Sequence, residues 1–149
     1  MNQHPYLRAY MAGIAVPTAL LLVALAGFCI ARFAFHVPVP IERVIIVPLM
    51  IVPNAFGLWN MLYLKLPSRW QTPIGLHGAF LPFFIGPIGF SVATALGFVR
   101  ATERGLVAFD VVRIPYWWLA VGPFFAIAAY YLLWKYAVGF LNREVGIGG

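Results

Sequence analysis

Charge is what this sequence has least of. Asp, Glu, Lys and Arg make up 9% of its 149 residues, four acids against ten bases. A water-soluble domain carries about a quarter charged residues, so this chain has too little polar surface to cover a soluble ball. With 63% apolar residues and a mean hydropathy of +0.91, lipid is the expected solvent for most of it. Cysteine is nearly absent too. Cys29 stands alone, which excludes an intrachain disulfide and any Cys-x-x-Cys motif, and inside an apolar run it reads as a small packing residue. There is no HExxH, no P-loop, no GxSxG and no acid pair on one helix face. Ser91 and Thr94 share a helix face but have no positioned base. No catalytic residue, metal ligand or cofactor is expected, and the chain leans away from being an enzyme.

The net charge of +6 has a membrane reading. The bases sit near the ends of apolar runs, where phospholipid headgroups lie. No basic cluster with interleaved aromatics stands apart, so the lipid bilayer is an expected partner and nucleic acid is not.

What the chain does have is long apolar runs. A helical span needs about twenty predominantly apolar residues, and four runs qualify: about 12–35, 41–64, 74–99 and 114–140. The first is too long for a signal-peptide core and lacks a clear cleavage site, so it reads as a retained span. The expected fold is a single domain over 1–149, an all-α integral membrane protein with four transmembrane helices in an up-down bundle. Arg8, Lys65, Arg69, Lys135 and Arg143 fall on one side and Arg32, Arg43, Arg100, Arg104 and Arg113 on the other. That is a tie under the positive-inside rule. The acid-free loop "KLPSRWQTP" tips the expectation towards both termini cytoplasmic, in a bacterial inner membrane. Between the third and fourth runs, "LVAFDVV" is expected along the membrane surface or as an extension of the fourth span. The tail "REVGIGG" is expected to fray. Glu42, Glu103 and Asp110 are expected as solvated partners of Arg43, Arg104 and Arg113.

Shifting the chain by 70 residues superposes Pro17 on Pro87, Gly27-Phe28 on Gly97-Phe98, Arg43 on Arg113, Pro53 on Pro123 and Lys65 on Lys135. The bundle would then be two repeated helical hairpins of one orientation, a parallel repeat of a kind found in some transporters. Spans carry Pro17, Pro48, Pro53, Pro82, Pro87, Pro115 and Pro123. Each interior proline frees a carbonyl that must find a partner, which serves either to shape the bundle or to line a path. Small residues allow close helix approach in membranes. Gly75, Gly78, Gly86 and Gly89 therefore mark the third span as the packing hub, with Gly122, Ala126, Ala128 and Ala129 on the fourth.

Polar residues inside the runs matter most. Asn54 is expected near mid-membrane, with Asn60 nearer the termini and His77 at a similar depth. Tyr130, Tyr131 and Lys135 on the fourth span come to that level. These six are the candidate ligand- or ion-binding residues, and interhelical hydrogen bonding is the plainer role for the same side chains. Haem between His36 and His77 is disfavoured, because parallel spans put them about 30 Å apart, on opposite faces. Trp59, Tyr63, Trp70, Trp134 and Tyr136 at one interface, and Tyr116, Trp117 and Trp118 at the other, read as aromatic belts. Two functions compete. One is a structural or accessory subunit packed within a membrane complex, against a membrane-protein partner or itself. The other is a small oligomeric transporter or channel with a polar site among the second, third and fourth spans.

Overall fold

The computed structural model describes residues 4–38, 40–110 and 112–147, without the side chains of 43, 44, 46 and 47. The order is α1 (Pro5–Phe33), α2 (Ile41–Val44), α3 (Ile46–Lys65), a 3-10 turn (Ser68–Trp70), α4 (Ile74–Ala95), strands β1 (Val99–Thr102), β2 (Gly105–Ala108) and β3 (Val112–Ile114), then α5 (Tyr116–Leu132), a π-helical stretch (Leu133–Val138) and α6 (Gly139–Glu144). The last three form one continuous rod. Among the described residues, three helices are long and apolar enough to cross a membrane: Pro5–Phe33, Ile74–Ala95 and Tyr116–Glu144. The α3 helix has 20 residues but is not in that set. Its first two residues, 46 and 47, are among those whose side chains are not described.

The helices pair as two antiparallel hairpins, α1 with α3 and α4 with α5. Glycine sets the first contact. A Cβ on Gly13 would lie 2.7 Å from the Phe56 carbonyl oxygen, and one on Gly57 would lie 2.5 Å from the Tyr10 ring. The equivalents of Gly13 and Gly57 at the 70-residue offset are Phe83 and Ile127, so that contact is not repeated in the second hairpin. The connections differ as well: α2 joins the first pair and a sheet joins the second.

That sheet corrects the all-α expectation. Val99–Thr102, Gly105–Ala108 and Val112–Ile114 form a three-stranded antiparallel sheet in the order β1-β2-β3. Thr102 pairs with Gly105 around a tight turn, and Val107 lies between Arg100 and Arg113. Directly opposed residues share a face, so Arg100, Val107 and Arg113 lie together on one face. Leu106 and Ala108, on the other, are buried. The segment therefore does not extend the fourth span. The third span stops at Ala95 rather than Val99 because Gly97 takes a left-handed conformation (φ 70°). Phe98 N–H then donates to the Ala93 carbonyl and Gly97 N–H to the Thr94 carbonyl, the double bond of a Schellman cap.

The tail is likewise not frayed as far as Ile147. Gly146 (φ 73°) repeats the Schellman geometry, with Ile147 N–H donating to Asn142 O and Gly146 N–H to Arg143 O. Ile147 is buried, and Arg8 donates to the Val145 carbonyl at 3.2 Å. The first helix starts at Pro5, ahead of its apolar run, since proline suits a helix N-terminus. Asp110 finds another partner than the expected Arg113, pairing with Arg100, and Arg32 pairs with Glu42 at 2.8 Å. The side chain of Arg43, expected beside Glu42, lies outside the described residues.

Candidate functional site

Ile41, Ile45, Leu106 and Ala108 are buried at one end of the bundle, but most of the buried residues gather at the other, which holds the termini. They include Ala9, Ala12 and Gly13 of α1, Phe56 and Asn60 of α3, Gly75, His77, Gly78 and Leu81 of α4, and Trp134, Val138 and Asn142 of the last rod. Two polar clasps sit within this set.

The first joins three elements. Asn60 Nδ2 donates to the Ala9 carbonyl at 2.7 Å and to Asn142 Oδ1 at 2.8 Å, while Asn142 Nδ2 donates back to Asn60 Oδ1 at 3.0 Å. Both side chains are buried, Asn60 at 0% exposure. An amide offers two N–H donors, and both of Asn60's are spent. The clasp ties α3 to α1 and to α6. Asn142 lies past residue 140, where the sequence places the end of the fourth span, and so falls outside the expected polar set. Trp134, Val138 and Asn142 recur every four residues, and that buried stripe was the available signal.

The second clasp joins α3 to α4. Trp59 Nε1 donates to the His77 carbonyl at 2.9 Å, and His77 Nε2 lies 3.0 Å from the Trp59 carbonyl. A carbonyl only accepts, so Nε2 carries the proton. The His77 ring stacks on Trp59 (5.0 Å between centroids, 26°) and meets Tyr63 and the edge of Trp134. Trp59 and Trp134 are thus bundle interior rather than aromatic belt, and Trp134 is 0% exposed. The space for Trp134 comes from Gly78, where a Cβ would fall 1.9 Å from the indole Cγ. Among the described residues, Trp134 Nε1 is the buried side-chain polar atom left without a hydrogen-bond partner.

The structure does not bring the six sequence candidates together. Asn60 and His77 belong to different clasps. Tyr130 packs against Phe56 with centroids 5.4 Å apart. Tyr131 covers Gly75, whose Cβ would lie 2.8 Å from its ring. Lys135 is exposed, its Nζ 5.6 Å from the Tyr131 centroid and 5.2 Å from that of Tyr136. That placement suits a lysine whose ammonium reaches towards headgroups. Asn54 is exposed on the outside of α3, donating to the Met50 carbonyl at 2.7 Å and accepting from the Tyr10 hydroxyl. Of the four candidate packing glycines, Gly75 and Gly78 meet the last rod, whereas a Cβ on Gly86 or Gly89 would meet nothing within 4 Å. Gly122 would touch only Trp118 of its own helix. No group of three His, Cys, Asp or Glu residues able to hold a metal ion occurs among the described residues.

Comparison with protein-family models, curated proteins and solved structures finds no match for this chain.

Proposed function

We propose that this chain is a structural or accessory subunit of a membrane complex, a four-span integral membrane protein with both termini cytoplasmic in a bacterial inner membrane. In this reading α3 is the fourth span, held in the bilayer by its clasps to α1, α4 and α6. The observation that carries the proposal is the Tyr10–Asn54 pair, polar and exposed. Asn54 lies eleven residues from Lys65 at the end of α3, so it stands about 16 Å into the span at 1.5 Å per residue. A polar pair facing hydrocarbon at that depth is unfavourable, and helix association that covers it relieves the cost. A neighbouring membrane chain supplies the cover.

A small oligomeric transporter or channel is the competing reading. It draws on the interior asparagine and histidine, yet Asn60 and His77 are engaged in bonds between helices and leave little to offer a passing substrate. The two readings separate on gentle extraction followed by native mass spectrometry. Unrelated partner chains in fixed stoichiometry support the accessory role. A homo-oligomer alone, with Asn60→Leu and His77→Leu abolishing flux in chains that still fold, overturns it in favour of transport.

A further inference from the structure

The two hairpins touch at the Trp59–His77 clasp and diverge from there towards the sheet. Between α3 and α4 this leaves an open cavity of about 430 Å³, lined by Ile51, Ala55, Leu58, Ile88 and Val92 among others and bounded at its sheet end by Phe98 and Phe109. Its walls are apolar. The one side-chain donor on them, Trp59 Nε1, is already bonded to the His77 carbonyl.

We propose that this groove holds one acyl chain of an anionic phospholipid from the sheet-side leaflet, with the lipid phosphate against the arginines of the sheet. Three observations select that occupant. The first is length. Pro48 and Leu62 mark the groove's extent on α3, and fourteen residues of helix span about 21 Å, a little more than half of the roughly 30 Å hydrocarbon core.

The second is chemistry. The groove's walls are apolar and the one donor on them is already bonded, so a hydrocarbon chain about 5 Å across, as carbon contact distances imply, lies along it without leaving a polar group unpaired.

The third is charge at the mouth. Phe98 lies two residues before Arg100, and Phe109 immediately precedes Asp110, the partner of Arg100. Arg113 shares the face of Arg100 across Val107. Two guanidinium groups against one carboxylate leave this face net positive, which suits a phosphate. The glycines fit as well. Gly89 lines the groove with no atom within 4 Å of its missing Cβ, so the groove is open where the chain would lie.

The test uses the full chain in vesicles of phosphatidylethanolamine and phosphatidylglycerol. A small fraction of the phosphatidylglycerol carries a photoactivatable diazirine on its acyl chain, and adducts are mapped by mass spectrometry. The expected result is adducts concentrated on Ile51, Ala55, Ile88 and Val92, lost in Gly89→Leu and retained in Gly86→Leu, a neighbouring open position off the groove. Adducts spread evenly over exposed residues such as Val23, Phe83 and Phe124 overturn the proposal. So does a Gly89→Leu chain, folded by circular dichroism, whose adducts are unchanged. Adducts that form elsewhere on α3 and α4 but are absent from Ile51, Ala55, Ile88 and Val92 overturn it as well. Should Gly89→Leu fail to fold, Arg100→Gln in the exposed sheet decides separately. Its adducts are expected to lose their preference for phosphatidylglycerol over a phosphatidylcholine probe of the same chain, and an undiminished preference refutes the headgroup contact.

Discussion

The two ends of the bundle differ more than the two hairpins do. At the end holding the termini, α1, α3, α4 and the last rod close around Phe56, Asn60, His77 and Trp134. At the sheet end α1 has no buried residue after Pro17, α4 none after Leu81, and α5 none at all. One end is welded by glycine contacts and amide hydrogen bonds. The other is splayed, apolar and available. In lipid, apolar area gives helices no reason to associate, because the tails are as apolar as leucine. Close packing and hydrogen bonds supply that reason instead. The bundle closes where glycines meet a facing helix and buried amides bond across it, and opens where its glycines, Gly86 and Gly89, meet nothing within 4 Å.

The sharpest way to break the closed end is Gly78→Ala. The new methyl would overlap the Trp134 indole, with Cγ at 1.9 Å and Cβ and Cδ1 at 2.3 Å. Neither the buried tryptophan nor the backbone of α4 can retreat far. A loss of ~3 kcal/mol or more is expected, from forced repacking of the α4–rod contact. Gly86→Ala, eight residues along the same helix, meets nothing. It should be neutral or stabilise by up to about 1 kcal/mol through reduced backbone freedom. Equilibrium unfolding of both variants in one detergent measures the contrast, and equal effects would refute the difference between the ends.

The asparagine clasp comes next. Asn60→Leu leaves the buried Asn142 amide without its partner and should cost about 1–3 kcal/mol, as should Asn142→Leu. Replacing both removes the orphaned groups together. The double variant should therefore lose less than the sum of the singles, with a coupling of about 0.5–2 kcal/mol. Asn54→Leu, on the exposed face, should cost the isolated chain less than about 1 kcal/mol. Its larger effect should appear as loss of a co-extracted partner. Additive single effects at Asn60 and Asn142 would mean that the amides act separately.

Much of this end was legible in the sequence, and the reasons for the misses are physical. Apolar runs with cations at their ends located the helices, because a backbone in lipid must satisfy its own hydrogen bonds. Polar residues inside the runs pointed to Asn60 and His77. Their partners were hidden, since composition gives depth but not which face meets which neighbour. For that reason Gly78 and Gly86 looked alike in sequence and differ completely in surroundings. Trp59 and Trp134 resembled interface aromatics because interior and belt tryptophans occur at similar depths. The sheet had a readable sign. Val99-Arg-Ala-Thr and Val112-Arg-Ile alternate apolar and polar with the period of a strand. That signal is short, and it lay beside apolar runs whose helical reading drew in their flanks. The caps at Gly97 and Gly146 depend on left-handed backbone, which a glycine permits but does not announce.

The smallest expected effect lies in the sheet and gives the comparison its baseline. The Arg100–Asp110 pair is exposed, with 65% and 62% of the side chains accessible. Such pairs are worth about 0–1 kcal/mol, since solvent screens them and ordering two long side chains costs entropy. Asp110→Asn should change stability by less than about 0.5 kcal/mol, with the difference shrinking further as salt is raised. If it instead unfolded the chain as readily as Asn60→Leu, the sheet would be a keystone of the bundle rather than a cap on its open end. The near-neutral outcome makes the Arg100–Asp110 pair dispensable for folding, and so leaves Arg100 to be explained by what it meets at the membrane surface.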